Sequence, residues 1–354
     1  APATKNVNQI TPKPNTPAPL PKDPPPAGTG TGVISKTFYI TDGSLPLAKS
    51  DAGESIAFMD VYFRGFSTDP KDLNVPGEGL IIREGDAVEI TIINTLTSDH
   101  NFTIDKIVNI NIAAGATEIA RFTAGAPGTY MYYDASNPPY NRLLGLHGAL
   151  AIMPAKSDNQ PFPNSRSFVK QQFWVFNDID PIWNNSIRDG LNTSRLGAFK
   201  PRYFTMNGLS GRPPRAPGYD KADQSSMKDL RTILKGGIGD RTLIRCVNAS
   251  KMKHSMHLHA NHMEWLPKPG EARQDVWEKD IVALQANGGI ENVIYPFAPP
   301  PDAINPFTND SLLADEKAGV EVTYPMHLHD EMTQTAAGGS YQFGTMTDIY
   351  YVSK

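Results

Sequence analysis

One phrase is written twice in this chain, and it limits the fold more than any other feature. A strand runs into a Gly-Asp turn and leaves it as an alternating strand that ends in Asn, over Glu84–Asn94 and again over Gly239–Asn248. In the first copy Val88, Ile90 and Ile92 fall on one face and Glu89 and Thr91 on the other. That is the period-2 pattern of a half-buried strand. A phrase repeated in both halves implies two copies of one β-sandwich unit.

The remaining sequence agrees. Further strands are expected over Glu118–Phe122, Gly128–Tyr133, Gly148–Met153, Ser167–Phe176 and Tyr203–Gly208, whereas helical periodicity is nearly absent. The 31 prolines and 29 glycines suit short strands joined by turns, and 354 residues suffice for two domains with real cores. The expected organisation is a Pro- and Gly-rich arm or linker over 1–32, a first domain over 33–155 and a second over 156–354. Loops are expected over 209–230 and 295–315.

Charge and cysteine usage exclude several classes. A net charge of −4 with no basic stripe argues against nucleic acid as a partner, and no apolar run is long enough to span a membrane. The single cysteine, Cys246, excludes an internal disulfide framework and a four-cysteine zinc site. The opening Ala-Pro-Ala reads as a mature end left by signal-peptide removal, so the expected location is periplasmic, extracellular or cell-surface. The arm suggests a homo-oligomer or a surface assembly.

Four of the eight histidines fall within Lys253–Trp265. In an extended strand, side chains two apart share a face, so His257 and His259 project together. The same grammar returns as His327-Leu328-His329. Two such pairs on neighbouring strands bring imidazoles to one or two metal ions, and imidazole suits copper, zinc, nickel or iron. Met252, Met256, Met263, Met326 and Met332 nearby tilt the choice toward copper. The expected ligands are His257, His259, His327 and His329, with His254 and His262 as a possible additional site. Asp330 and Glu331 are candidates for orienting the imidazoles. A zinc hydrolase would require Glu331 or Glu264 as its base, and nothing in their spacing demands it.

These residues resemble the multicopper oxidase family, built from cupredoxin-like Greek-key β-sandwiches. Val75-Pro76-Gly77-Glu78-Gly79 with Glu84-Gly85-Asp86 is similar to that family's opening strand and turn. Ala126 to Tyr133 resembles its Gly-Thr-Tyr-x-Tyr-His-x-His strand, and Gly145-Leu146-His147-Gly148-Ala149 its Gly-x-x-Gly-Ala segment. His254-x-x-His257-x-His259 is similar to the His-Pro-x-His-x-His motif, and Tyr324 to Gly338 stands where the His-Cys-His strand belongs.

The departures matter for chemistry. The resemblance implies four His-x-His pairs around a three-copper cluster, yet the first-half pairs read His100-Asn101-Phe102 and Tyr133-Asp134-Ala135. The blue-copper cysteine is replaced by Leu328, its second histidine by Thr333 and its axial ligand by Gly338. In the first half the corresponding places read Asp134, Leu143 and Leu146. His100 and His147 read as structural, and in a trimer of the family's two-domain type the His pairs would face a partner's Tyr133 and Asp134. The expected function is an exported copper-binding protein, holding one or two ions and lacking laccase-type turnover. The alternative is a metal-free structural module of a surface assembly. No catalytic residue is assigned; the chain is an oxidoreductase by resemblance, with key ligands missing.

Overall fold

The computed structural model describes residues 33–49, 57–190, 197, 199–211, 230–299, 322–337 and 343–352. The arm over 1–32, most of the expected 209–230 loop and Gly338 lie outside them.

The repeated phrase performs one mechanical job in both places. Gly85 and Gly239 take φ of +91° and +92°, a left-handed backbone that a side chain would strain. Each following Asp folds back on its turn: Asp86 Oδ2 accepts from the Arg83 amide at 2.7 Å, and Asp240 Oδ2 from the Gly237 amide at 2.9 Å. The Asn at the strand's end then pins the next loop. Asn94 Nδ2 donates to the carbonyls of Ser98, Ile112 and Ala113, and Asn248 Nδ2 to those of Met252, Leu284 and Gln285.

In the first half the strands are β1 (Val33–Lys49), β2 (Ala57–Ser67), β3 (Leu80–Arg83), β4 (Ala87–Asn94), β5 (His100–Ile104), β6 (Val108–Ile112), β7 (Thr117–Thr123), β8 (Gly128–Tyr133) and β9 (His147–Met153). They form two sheets, ordered β2-β1-β4-β7 and β3-β9-β8-β5-β6. The second half adds β10 (Lys170–Ile179), β11 (Tyr203–Met206), β12 (Leu234–Gly236), β13 (Arg241–Asn248), β14 (His254–Leu258), β15 (Met263–Trp265), β16 (Trp277–Lys279), β17 (Ile281–Leu284), β18 (Gly289–Pro296), β19 (Val322–Leu328) and β20 (Met346–Tyr351). Its sheets are ordered β11-β10-β13-β18-β15-β16 and β12-β20-β19-β14-β17.

The pairing pattern is duplicated. The parallel pairs β1–β4 and β3–β9 correspond to β10–β13 and β12–β20, and the run β9-β8-β5-β6 corresponds to β20-β19-β14-β17. This is the expected all-β architecture of two sandwiches. The loop expected from 295 starts later, because Tyr295 is fully buried and, with Pro296, completes β18. Among the described residues two α-helices interrupt the strands, α1 (Tyr140–Leu143) and α2 (Pro181–Arg188). The second starts at a recognisable signal: Asp180 accepts from the amides of Ile182 and Trp183, and Pro181 occupies the first turn. Among the described residues no helix is long and apolar enough to cross a membrane.

Each half has its own apolar core between its sheets. Phe38, Phe66, Phe102 and Tyr132 stack in the first, while Trp174, Met256, Leu258, Met326 and Leu328 fill the second. Burying a side chain of this size contributes roughly 1.5–3 kcal/mol. That fixes which way β14 and β19 face, since a one-residue slip would expose the apolar set and bury the alternate one. Between the halves lie Met131, Ala149, Ala151, Phe173, Val175 and Val247. Arg142 Nε donates across this seam to the Ala249 carbonyl at 3.0 Å.

Candidate metal centre

The alternation that buries Met256, Leu258, Met326 and Leu328 turns His257, His259, His327 and His329 to the outer face of the same sheet. In the antiparallel pair β14–β19, His257 stands directly opposite His327. His259 and His329 flank them, their amides donating to the carbonyls of Pro325 (3.2 Å) and Ser255 (2.7 Å). Ring centroids of His257 lie 4.5 Å from His259, 5.2 Å from His327 and 5.5 Å from His329. One nitrogen each from His257, His259 and His327 falls within 4.8 Å of the others. Donors bound tetrahedrally at about 2.0–2.1 Å stand ~3.4 Å apart, so small ring movements bring the set onto one ion. His329 is exposed, and its nitrogens do not join that cluster.

Main-chain carbonyls set which nitrogen of each ring is bare. His257 Nδ1 lies 3.1 Å from the Asp280 carbonyl and His327 Nδ1 lies 3.1 Å from the Leu328 carbonyl. A carbonyl only accepts, so both Nδ1 atoms carry the proton and both Nε2 atoms present lone pairs. His259 Nε2 sits 3.2 Å from His327 Nε2, so without metal His259 donates the N–H between them. Burial pushes His327 below the usual histidine range; its bond to the Leu328 carbonyl opposes this, and the nearby His257 and His329 add to it. The lowered value keeps its lone pair available at neutral pH.

Other expected residues are elsewhere. His254 shares β14, but its odd spacing from His257 puts it on the core side, 1% exposed, with Nε2 at 2.9 Å from Asp178 Oδ1 and 3.1 Å from Ser250 Oγ. Its Nδ1 is buried without a partner. His262 is exposed at the start of β15, so the two form no joint site. Asp330 and Glu331 are exposed and make no hydrogen bond to a histidine among the described contacts. The group that orients His257 is the Asp280 main chain, which no side-chain pattern signals. Asp178 carried a signal: it is an acid on the face of β10 that otherwise holds Trp174 and Phe176. Of the five methionines, Met256, Met263 and Met326 are fully buried in the core, opposite the imidazoles, and so do not bear on the choice of metal. Glu264, the other candidate base, pairs with Arg241.

In the first half Asp134 is buried, its Oδ2 2.5 Å from His100 Nδ1 and 2.9 Å from Asn141 Nδ2. It is therefore spent inside its own chain and cannot face a partner's imidazoles. Tyr133 donates to Asp105 Oδ1 at 2.9 Å. Leu143 and Leu146 are fully buried among apolar neighbours. His147, also fully buried, donates through Nδ1 to the Arg142 carbonyl at 2.8 Å, leaving Nε2 without a partner.

No family model matches the chain. Among curated proteins it is similar to Laccase-12 of Oryza sativa subsp. japonica, 27% identical over 206 residues, 53% of this chain and 32% of that one. It is also similar to the copper-containing nitrite reductase of Alcaligenes xylosoxydans xylosoxydans, 32% identical over 92 residues, 23% and 28% of the two chains. The chain thus spans about a third of the length of these relatives. Among solved structures it shares its fold with a blue copper oxidase from Nitrosomonas europaea, at a TM-score of 0.66 and 18% identity over 90% of this chain and 86% of the other. The copper nitrite reductase of the same organism gives a TM-score of 0.58 at 16% identity, over 91% and 95% of the chains. Sequence likeness to laccases and copper nitrite reductases, on the two-sandwich fold of the copper oxidases, makes this chain similar to the cupredoxin-type multicopper oxidases.

Proposed function

We propose that this protein binds copper through His257, His259 and His327, with His329 beside them, and that it does so without a blue copper centre and without laccase-type turnover. One observation carries the reading: three imidazole nitrogens gather within 4.8 Å, and carbonyls on the far side of His257 and His327 leave their Nε2 lone pairs bare. Such orientation from behind is how ligating histidines are held. Copper is favoured among imidazole-loving metals because the nitrite reductase relatives are named as copper proteins. Bound there, copper would supply one-electron redox chemistry.

The rest of an oxidase's copper set has no counterpart in these side chains. Leu328, fully buried, stands in the cysteine's place, and Thr333 holds its hydroxyl on the Asp330 carbonyl at 2.5 Å. The first half offers oxygen groups already bonded within it, Tyr133 to Asp105 and Asp134 to His100, rather than a second imidazole set. We also read 33–155 and 156–354 as the two domains, since each half has its own sheets and core, and the protein as exported.

The test is copper analysis of protein purified without added metal, with electron paramagnetic resonance after loading. A nitrogen-ligated type 2 signal without intense blue colour, lost in His257→Ala and His327→Ala, supports the reading. A chain that takes up no copper and melts identically with and without it overturns the reading in favour of a metal-free structural module. Oxygen uptake with a phenolic donor at laccase-like rates overturns the claim about turnover.

A further inference from the structure

A cavity of about 430 Å³ opens between the two sheets of the first half, far in sequence from the imidazoles. We propose that it binds a small amphiphilic acid, an aromatic or short aliphatic carboxylate, with the apolar body between the sheets and the acid group on Lys36. Its size falls in the range of small-molecule sites, and its walls are apolar: Ile34, Leu80, Ile81, Ile82, Phe122 and Leu150. Ile34, Leu80, Ile81 and Phe122 are only half-buried, so the void continues to the surface instead of being sealed in the core. Sandwich interiors are normally close-packed, and an unfilled apolar gap costs stability.

The charge at the mouth selects the head group. Lys36 and Glu78, both lining the cavity, form an ion pair. The Glu78 side chain is 6% exposed and that of Lys36 26% exposed. Lys36 is the more exposed partner, and its ammonium has more N–H donors than its one bond to Glu78 uses, so an entering carboxylate can share the ammonium with Glu78. The second half treats the equivalent edge differently. Through the matching registers of β1–β4 with β10–β13 and of β3–β9 with β12–β20, Lys36 corresponds to Gln172, Phe38 to Trp174 and Glu78 to Thr232. There Gln172 Nε2 and Trp174 Nε1 both donate to the Thr232 carbonyl, at 3.3 and 2.9 Å, and stitch the two sheets together. In the first half the Lys36–Glu78 ion pair stands where those bonds are.

The experiment is calorimetric titration of the full chain with 1-naphthoate, and with 1-naphthylmethylammonium as the charge-reversed control. Saturable binding of about one naphthoate per chain is expected, weakened about tenfold in Lys36→Gln, the worth of one charge-assisted hydrogen bond. Ile34→Trp and Leu80→Trp each place an indole in the cavity and should abolish binding. Both are half-buried positions, and the melting temperature of each variant reports whether it folds. Absence of saturable naphthoate binding overturns the proposal. So does unchanged binding in a folded tryptophan variant, or equal affinity for the ammonium control. His257→Ala should bind naphthoate like the parent, so failure here is separable from failure of the copper reading.

Discussion

The two halves share a core pattern of strand pairing, which the second extends by β15 and β16, yet among the described residues only the second gathers imidazoles on a sheet face. Strand register aligns His254 with His100, and His257, opposite His327, with Thr103, opposite Tyr133. Two residues on, His259 corresponds to Asp105. The second half thus offers three imidazoles where the first has a threonine, an aspartate and a tyrosine, and Tyr133 already spends its hydroxyl on Asp105. The contrast behind the face is as sharp. His100 Nδ1 is satisfied by Asp134, whereas the corresponding residue of the second half is Leu328, and His254 Nδ1 has no partner. The frame decides where side chains point, and the residues on it decide whether the lone pairs there are spent or bare.

Transplanting the first half's residues onto the second is the largest test. His257→Thr, His259→Asp and His327→Tyr together should lower copper affinity by more than about 100-fold, because loss of even an outer partner of a ligand costs 10–100-fold. The melting temperature should change little, since these side chains face outward. Copper retained in the triple variant, measured after desalting, would mean that the ligands lie elsewhere.

The reverse exchange concerns stability. Asp134→Leu gives the first half the second half's residue and strands a buried His100. Removing one partner of a buried pair typically costs about 3 kcal/mol or more, and urea unfolding should register that loss. A change below about 1 kcal/mol would show that the site relaxes around an unpartnered Nδ1, as the second half already does at His254 Nδ1.

A third exchange has a pH signature. His147, opposite Tyr133, corresponds to Met346, opposite His327. Burial lowers the His147 pKa to about 4, partly opposed by its bond to the Arg142 carbonyl, with the Arg142 charge adding to the lowering. Between pH 4 and about 6.5 the unfolded chain binds a proton that the folded chain refuses. Stability is therefore full above pH ~6.5 and falls by roughly 3 kcal/mol as pH drops toward 4. His147→Met should flatten that slope in denaturant titrations across the window, and an unaltered slope would assign it to other groups.

Much of this was legible in the sequence, for physical reasons. The Gly-Asp-to-Asn phrase announced both sandwiches because glycine's left-handed turn, the Asp cap and the Asn pin are local chemistry. The imidazole pairs were legible because strand alternation puts His257 with His259 and sets His254 apart. What escaped depends on non-local register. The apparent first-half pair His100-Asn101-Phe102 is not the counterpart of His257 and His259; strand pairing gives that place to Thr103 and Asp105. The methionines looked like ligands in a linear reading, and the same alternation sends Met256 and Met326 into the core.

The smallest effect separates main chain from side chain as the group that orients a ligand. In the first half Asp105 acts through its carboxylate, which accepts from Tyr133. In the second, Asp280 acts through its carbonyl, 3.1 Å from His257 Nδ1, while its half-exposed carboxylate stands 3.8 Å away. A solvent-facing carboxylate at that distance from a neutral imidazole is worth no more than an exposed ion pair, about 0.5 kcal/mol or two- to threefold in affinity. Asp280→Ala keeps the carbonyl and should therefore shift copper affinity by no more than about threefold. A tenfold loss would transfer the orienting role to the carboxylate, and the two halves would then position their functional side chains by the same kind of contact.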